Sequence, residues 1–313
     1  MVIARLLLLA TLALAGIWSV AEPLLLSQVR PRVQADRVGP QPAWGRLGLA
    51  LSGVTLPMQA GQLNLPALDL WVTPTAPLTV RADLPAAAFL DGPAGRRQVG
   101  MEDAAAAVTL SPLGRVRQAD ASFAALSLDG GPLSGRGSVT ALAVADDRIA
   151  GHPYQVQIAF PDLRLPQVSS AQGGLRLWLD RQPGVATEAP PAVLGVLTEG
   201  LEIGTGASSL RVVGMLGKGS DGRAQGRVAL YTSDAAAMLD AAIEAGLMSS
   251  NARLLARAML NRIGGMEFAE GGAGQPAMPP APEGQLRIPV EMRDGRMYLG
   301  TLEIGPAPRW PAF

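Results

Sequence analysis

The chain has no cysteine, one histidine and one lysine among 313 residues, and aromatic side chains make up only 4% of it. Without cysteine there is no disulfide framework and no thiolate nucleophile, so stability has to come from packing and backbone pairing. The lone His152 excludes a histidine cluster for zinc and the second histidine of a facial triad. Charge of one sign is missing too: 26 basic residues meet 26 acidic ones. A basic patch or stripe is the usual footprint of a nucleic-acid binder, and nothing here suggests one. Lys218 is the single lysine, and the preference for arginine fits a coding bias. What is abundant is aliphatic: 48% of residues are hydrophobic, mostly Leu, Val and Ala, enough for a substantial core.

The N-terminus carries the clearest single signal. Arg5 precedes an uncharged, largely apolar run from Leu6 to Ala21, and Ser19-Val20-Ala21 stands just before Glu22-Pro23. A positive start, an apolar stretch and a small-x-small site are the layout of a secretory signal. The run is slightly short of the roughly 20 residues of a bilayer span. Leu24-Leu25-Leu26 could extend it, interrupted by Glu22 and Pro23. Residues 1–26 therefore read as a signal anchor, or as a signal peptide cut after Ala21. Either places the body, residues 27–313, outside the cytoplasm: anchored to the inner membrane with the body in the periplasm, or secreted there after cleavage.

Beyond the leader the pattern is alternation. Leu47, Leu49 and Leu51 share one parity, as do Leu63 and Leu65, Leu68, Leu70 and Val72, Val156, Ile158 and Phe160, and Leu175, Leu177 and Leu179. A period of two puts such residues on one face of a strand. Gly and Pro interrupt at short intervals, as at Gly53, Gly61, Pro66, Pro74 and Pro166. Short alternating runs between turn signals indicate antiparallel β-structure with one solvated face. Proline lacks the ladder donor and belongs at edges, strand ends or bulges. The expected fold is mainly β: an elongated, curved antiparallel sheet with a short C-terminal helical hairpin and an N-terminal membrane segment. Outer-membrane barrel strands need about 9–11 residues each, so a porin is not expected.

Three segments depart from alternation. Between 234 and 264, Leu239, Ile243 and Leu247 recur at helical spacing behind Asp234 as N-cap, and a second helix carries Leu254, Leu255, Met259 and Ile263. Residues 270–284 are rich in Gly and Pro and read as a linker looping over the surface. At the C-terminus Leu286, Ile288, Val290 and Met292 alternate up to Asp294-Gly295, a strong hairpin signal. Met297 and Leu299 begin the return strand, which Leu302 and Ile304 continue in shifted parity, so a bulge is expected at Gly300. The Pro/Gly/Ala-rich stretch from Gln182 to Pro191 marks a soft boundary between two β-rich halves.

Catalytic motifs are hard to find. His152 sits in Gly151-His152-Pro153 and reads as a turn residue. No G-x-S-x-G elbow stands at a strand-to-helix turn, which leaves a serine hydrolase the least favoured reading. Glu102-Asp103 and Asp146-Asp147 are adjacent carboxylates pointing to opposite faces of extended chain, unlike the facing pair of a glycosidase. Asp146-Asp147-Arg148 reads as a solvated turn. Gly217-Lys218-Gly219-Ser220 lies between two strand-like runs and reads as a hairpin loop, not a nucleotide-binding one. No catalytic residue, metal site or cofactor is assigned. Trp71 and Trp178 fall on the parity opposite to their leucine neighbours, hence on the outer face of a one-sided sheet or in a sheet covered on both sides.

If one leucine parity faces an open concave surface, that surface suits acyl chains. The candidate lipid-facing residues are Leu47, Leu49, Leu51, Leu63, Leu65, Leu68, Leu70, Leu175, Leu177 and Leu179. The expected function is non-enzymatic: a membrane-tethered periplasmic protein binding or transferring lipid. Its partners are the inner membrane and a phospholipid, or an envelope protein, with no nucleic acid. The alternative is an envelope assembly or scaffold protein that holds a protein partner through its sheet edges.

The apolar N-terminus, Leu63-Asn64-Leu65-Pro66-Ala67-Leu68-Asp69-Leu70-Trp71, Asp162-Leu163-Arg164-Leu165-Pro166 and the closing Arg293-Asp294-Gly295-Arg296-Met297-Tyr298-Leu299-Gly300 with Gly305-Pro306 together resemble a bacterial family called domain of unknown function 2125. Members of that family in turn resemble AsmA-like envelope proteins in their β-rich build. The likeness spans nearly the whole chain, which departs from it in its long Pro/Gly linker and few aromatics. The resemblance implies a membrane-tethered envelope protein that handles lipid, with no catalytic residues to carry over.

Overall fold

A computed structural model describes residues 35–41, 44–58, 61–92, 95–165, 168–184, 191–205, 208–237, 276–300 and 302–310. The N-terminal segment 1–26, nearly all of the expected helical hairpin at 234–264 and the first part of the linker at 270–284 lie outside these residues. Among the described residues the chain is mainly β, with 19 strands and antiparallel ladders throughout. No helix among them is long and apolar enough to cross a membrane. Of the expected helical hairpin, the described residues include only 234–237. Ala235 to Ala237 are helical, and Asp234 Oδ1 accepts a 2.9 Å hydrogen bond from the Ala237 amide, as the expected N-cap should.

The chain divides into two compact units. The first comprises residues up to Leu113 together with Ala119–Leu133, and the second Gly114–Gln118 together with Ser134 to the C-terminus. No division occurs at Gln182–Pro191. The strands on either side of that stretch pair with each other, and the Asp180 amide reaches the Ala192 carbonyl at 2.9 Å.

The first unit contains β1 (Arg37–Pro40), β2 (Leu47–Met58), β3 (Gly61–Thr73), β4 (Ala76–Asp83), β5 (Ala87–Gly92), β6 (Gly95–Glu102), β7 (Ala105–Leu110), most of β8 (Val116–Phe123), β9 (Ala125–Leu128) and most of β10 (Gly131–Ser134). Its centre is the long β2–β3 hairpin, in which Leu49 faces Leu70, Leu51 faces Leu68 and Val54 faces Leu65. The apolar residues change parity at the same rung on both strands, across Gly53 on β2 and Pro66 on β3. Gly53 holds φ +62°, a left-handed conformation that glycine adopts without a Cβ penalty, and a Cβ there would lie 2.0 Å from Asp36 Oδ2. Because both strands switch together, Leu49, Leu51, Val54 and Leu65 join one cluster with Ala88. Trp71, on the other parity, is half buried, with the Arg46 and Arg81 guanidinium groups 5.4 and 5.1 Å from its ring centre.

The second unit is a meander in which each strand pairs with the next: β11 (Gly137–Ala143), β12 (His152–Phe160), β13 (Ser170–Leu179), β14 (Val193–Thr205), β15 (Ser208–Lys218), β16 (Ala224–Thr232), β17 (Leu286–Arg293), β18 (Arg296–Leu299) and β19 (Leu302–Pro306). The expected Asp294-Gly295 turn is present, with both residues at positive φ (52° and 72°), as a type I′ hairpin requires. Gly300 is not a bulge. At φ +61° it helps turn the chain back, so that Leu302 pairs with Leu299 and β19 runs antiparallel to β18. A parity shift in sequence is equally the mark of a bulge and of a tight reversal, and the pairing decides between them. The register irregularity of this hairpin lies instead at Met297/Tyr298.

The described part of the linker, from Pro276, is irregular up to β17 but does not merely pass over the surface. Met278 and Ala281 pack on Val213, Ala229 and Tyr231. The Tyr231 hydroxyl donates to the Pro279 carbonyl at 2.7 Å, and Arg287 donates to the carbonyls of Met278 and Pro279.

Candidate functional site

The registers of the second unit sort its side chains into two faces. On one, Tyr154, Leu177, Val196 and Leu216 form a cross-strand row over β12 to β15. Val156 and Leu175 begin a second row, which continues through Thr198 and Gly214 to Val228 and Val290. Towards β16–β19 this face is a closed core of Ile288, Val290, Met292, Met297, Leu299 and Ile304. Towards β13–β15 it is less covered: Leu175, Leu177, Leu179, Val196, Val212 and Leu216 are all half buried, whereas Tyr154 and Val156 on β12 are buried. Alternation on adjacent strands from β12 to β17 is what assembles this apolar face.

The other face is polar around β12–β15. Gln155, Arg176, Leu197 and Met215 form one row, and Gln172, Glu202, Arg211 and Tyr231 another. Between the two rows β14 carries an extra residue. Its register slips against β13 between Gln172 and Leu175, and against β15 between Thr198 and Leu201. Thr198, 6% exposed, pins this bulge: its hydroxyl accepts from the amides of Gly200 (3.3 Å) and Leu201 (2.9 Å) and lies 3.3 and 3.2 Å from the carbonyls of Gly174 and Val212. Glycine at 174 and 200 leaves a hollow of about 510 Å³ over the bulge, rimmed by Gln155, Gln157, Arg176, Glu199, Glu202 and Arg211.

Asp146 does not lie in a solvated turn. Its side chain is 5% exposed and forms ion pairs with Arg176 and, at 3.8 Å, with Arg148. Burial pushes its pKa up, but the Arg148 amide and the two guanidinium groups outweigh burial and hold it below the usual carboxylate value. Arg176 is held on its other side by Gln155 Oε1, at 3.3 and 3.2 Å from Nε and Nη2. The Tyr231 hydroxyl, buried beneath the linker, has its pKa raised by burial, with Arg287 and Arg211 opposing the shift.

The sequence-predicted lipid-facing residues fall into two sets in different units. Leu49, Leu51 and Leu65 are buried in the first unit's core; Leu63, Leu68 and Leu70 pack against that core, and Leu47 is half buried. Leu175, Leu177 and Leu179 lie half buried on the apolar face of the second unit, and Trp178 beside them is 0% exposed on the opposite face. His152 is exposed as the first residue of β12. Among the described residues no three His, Cys, Asp or Glu side chains group to hold a metal ion. In the sequence the polar hollow has one signal, the Gly173-Gly174 pair inside a strand, a mark of a bulge or of close backbone approach.

The model of a family described as "Uncharacterized protein conserved in bacteria (DUF2125)" matches residues 46–308, and the chain belongs to that family. No curated protein and no solved structure matches the chain.

Proposed function

We propose that this member of the bacterial DUF2125 family is a non-enzymatic envelope protein, held at the inner membrane by its N-terminal apolar segment. In this reading its β-rich body lies in the periplasm and binds phospholipid acyl chains on the apolar face of β12–β15. The observation that carries the proposal is the row Tyr154–Leu177–Val196–Leu216, with Val156, Leu175 and Val212 beside it, most of them only half buried. Acyl methylenes laid on such a face gain about 25 cal/mol for each Å² of apolar area removed from water. A curved sheet would increase the area a chain can cover. The proposal draws on Leu175, Leu177 and Leu179, and leaves the buried Leu49, Leu51 and Leu65 as core.

Native mass spectrometry with lipid extraction, on detergent-purified full-length protein, tests it. Wild-type protein carries stoichiometric phospholipid that survives exchange into mild detergent. Leu177→Glu loses the lipid while keeping the β-sheet circular dichroism of the wild type. A lipid-free wild type, or a folded Leu177→Glu protein that retains its lipid, overturns the proposal, and a partner crosslinked in the envelope would then favour the scaffold reading. The same intact mass reads whether the leader is cut after Ala21.

A further inference from the structure

We propose that the hollow over the β14 bulge is a binding site for a neutral, hydroxyl-rich ligand, a short saccharide. It lies on the face opposite the apolar rows, and its argument is independent of them. The floor is built to be empty. A Cβ on Gly174 would come within 2.8 Å of Gln157 Nε2 and 3.1 Å of Gln155 Nε2, so two amide groups lean over a residue without a side chain. Gly200, at φ +159°, would bring a Cβ to 3.1 Å from Arg211 Nε. The bulge that creates the space is fixed by Thr198, whose side chain occupies the backbone groups that an interrupted ladder leaves over.

The hollow's chemistry selects the ligand class. Arg176 is balanced by Asp146 and oriented by Gln155, so it forms a rigid wall without net charge. Arg211 gives Nη2 to the Glu199 carbonyl at 3.3 Å, and its guanidinium lies 5.9 Å from the Tyr231 ring centre. Glu199 and Glu202 share the rim with it. With no positive excess, the hollow is a poor site for phosphate or sulfate. Of the side chains on this face that line it, only Leu197 is apolar, and it is 2% exposed, so the hollow is a poor site for an acyl chain. What remains are planar groups that can each make paired hydrogen bonds: the Gln157 amide, Gln155 Nε2, and the Glu199 and Glu202 carboxylates, none of them engaged by another side chain among the described residues. Carboxylates accept and amides both donate and accept, the mixture that vicinal hydroxyls satisfy. The volume of about 510 Å³ lies in the range of small-ligand sites.

The test is saturation-transfer NMR on the full-length protein in detergent, with maltose and N,N′-diacetylchitobiose as probes and inorganic phosphate as the anionic comparator. At least one disaccharide binds and phosphate does not. Gln157→Ala weakens the binding by about three- to ten-fold, as expected for losing a neutral hydrogen-bonding group. Gly174→Val, which fills the floor, abolishes it. Gln157 is exposed, so its variant keeps the proposal testable if Gly174→Val fails to fold. Absence of binding by both disaccharides, binding unchanged in Gln157→Ala, or phosphate binding in their place each overturns the proposal. Lipid occupancy in Gln157→Ala stays at the wild-type level, which separates failure here from failure of the lipid reading.

Discussion

Trp178 and Leu177 are neighbours on β13 that point to opposite faces, and truncating each in turn tests the assignment of those faces. Trp178 is the largest fully buried side chain among the described residues, at 0% exposure. An aromatic side chain of this kind buries about 150–250 Å². At about 25 cal/mol per Å² that is roughly 4–6 kcal/mol, and measured Trp→Ala losses in cores run at about 3–5 kcal/mol. The Nε1–H bond to the Asp146 carbonyl is long, 3.4 Å, and adds little. Leu177 is mostly but not fully buried, so Leu177→Ala forfeits the larger part of a fully buried leucine's value, about 1–2.5 kcal/mol. Trp178→Ala should therefore destabilise about twice as much as Leu177→Ala. Urea unfolding followed by far-ultraviolet circular dichroism reads the difference, since tryptophan fluorescence changes with the substitution itself. A Leu177→Ala loss equal to or larger than that of Trp178→Ala would show that the leucine face is the closed core, and would remove the surface on which the lipid proposal stands.

Two further predictions concern charge and backbone. Asp146 has a folded-state pKa below its unfolded value, so the unfolded chain binds more protons between the two and stability rises with pH there. The contribution is complete above the ordinary carboxylate value of about 3.9 and is lost as pH falls through the depressed one. Asp146→Asn should flatten this part of the stability–pH curve in acid titrations of urea unfolding; an unchanged acid limb would refute the assignment. Gly295 sits at φ +72° in the β17–β18 turn, where a Cβ would also lie 2.8 Å from Asp221 Oδ2. Gly295→Ala should destabilise by about 1 kcal/mol or more, read as a drop in thermal midpoint, and Gly284→Ala, at φ +78° in open space, supplies the comparison for conformational strain alone.

Much of the fold is legible in the residues, for a simple reason. A period of two is a local property, and it marks strands wherever one face is covered. The Asp294-Gly295 hairpin and the Asp234 cap are local as well, since each depends on conformations or hydrogen bonds within a few residues. The loop at Gly217–Gly222 is recoverable on the same grounds, closed by the Gly219 amide on the Arg223 carbonyl at 2.7 Å. Gly300 shows where such signals stop. A change of parity beside a glycine describes a bulge and a reversal equally well, and the pairing partner chooses.

The residues by themselves determined the antiparallel β class and the absence of cysteine chemistry, because composition and short-range periodicity suffice for each. Only the tertiary structure decided which face is which. Leu49 and Leu177 alternate in the same way, yet one is sealed in a core and the other half open, since what covers a strand comes from residues far along the chain. Trp178 is core for the same reason, and Asp146 leaves the solvent because Arg176, thirty positions away, meets it there. The hollow at Gly174 exists because an extra residue on β14 is absorbed between β13 and β15. That is a property of register, and no stretch of a single strand carries it.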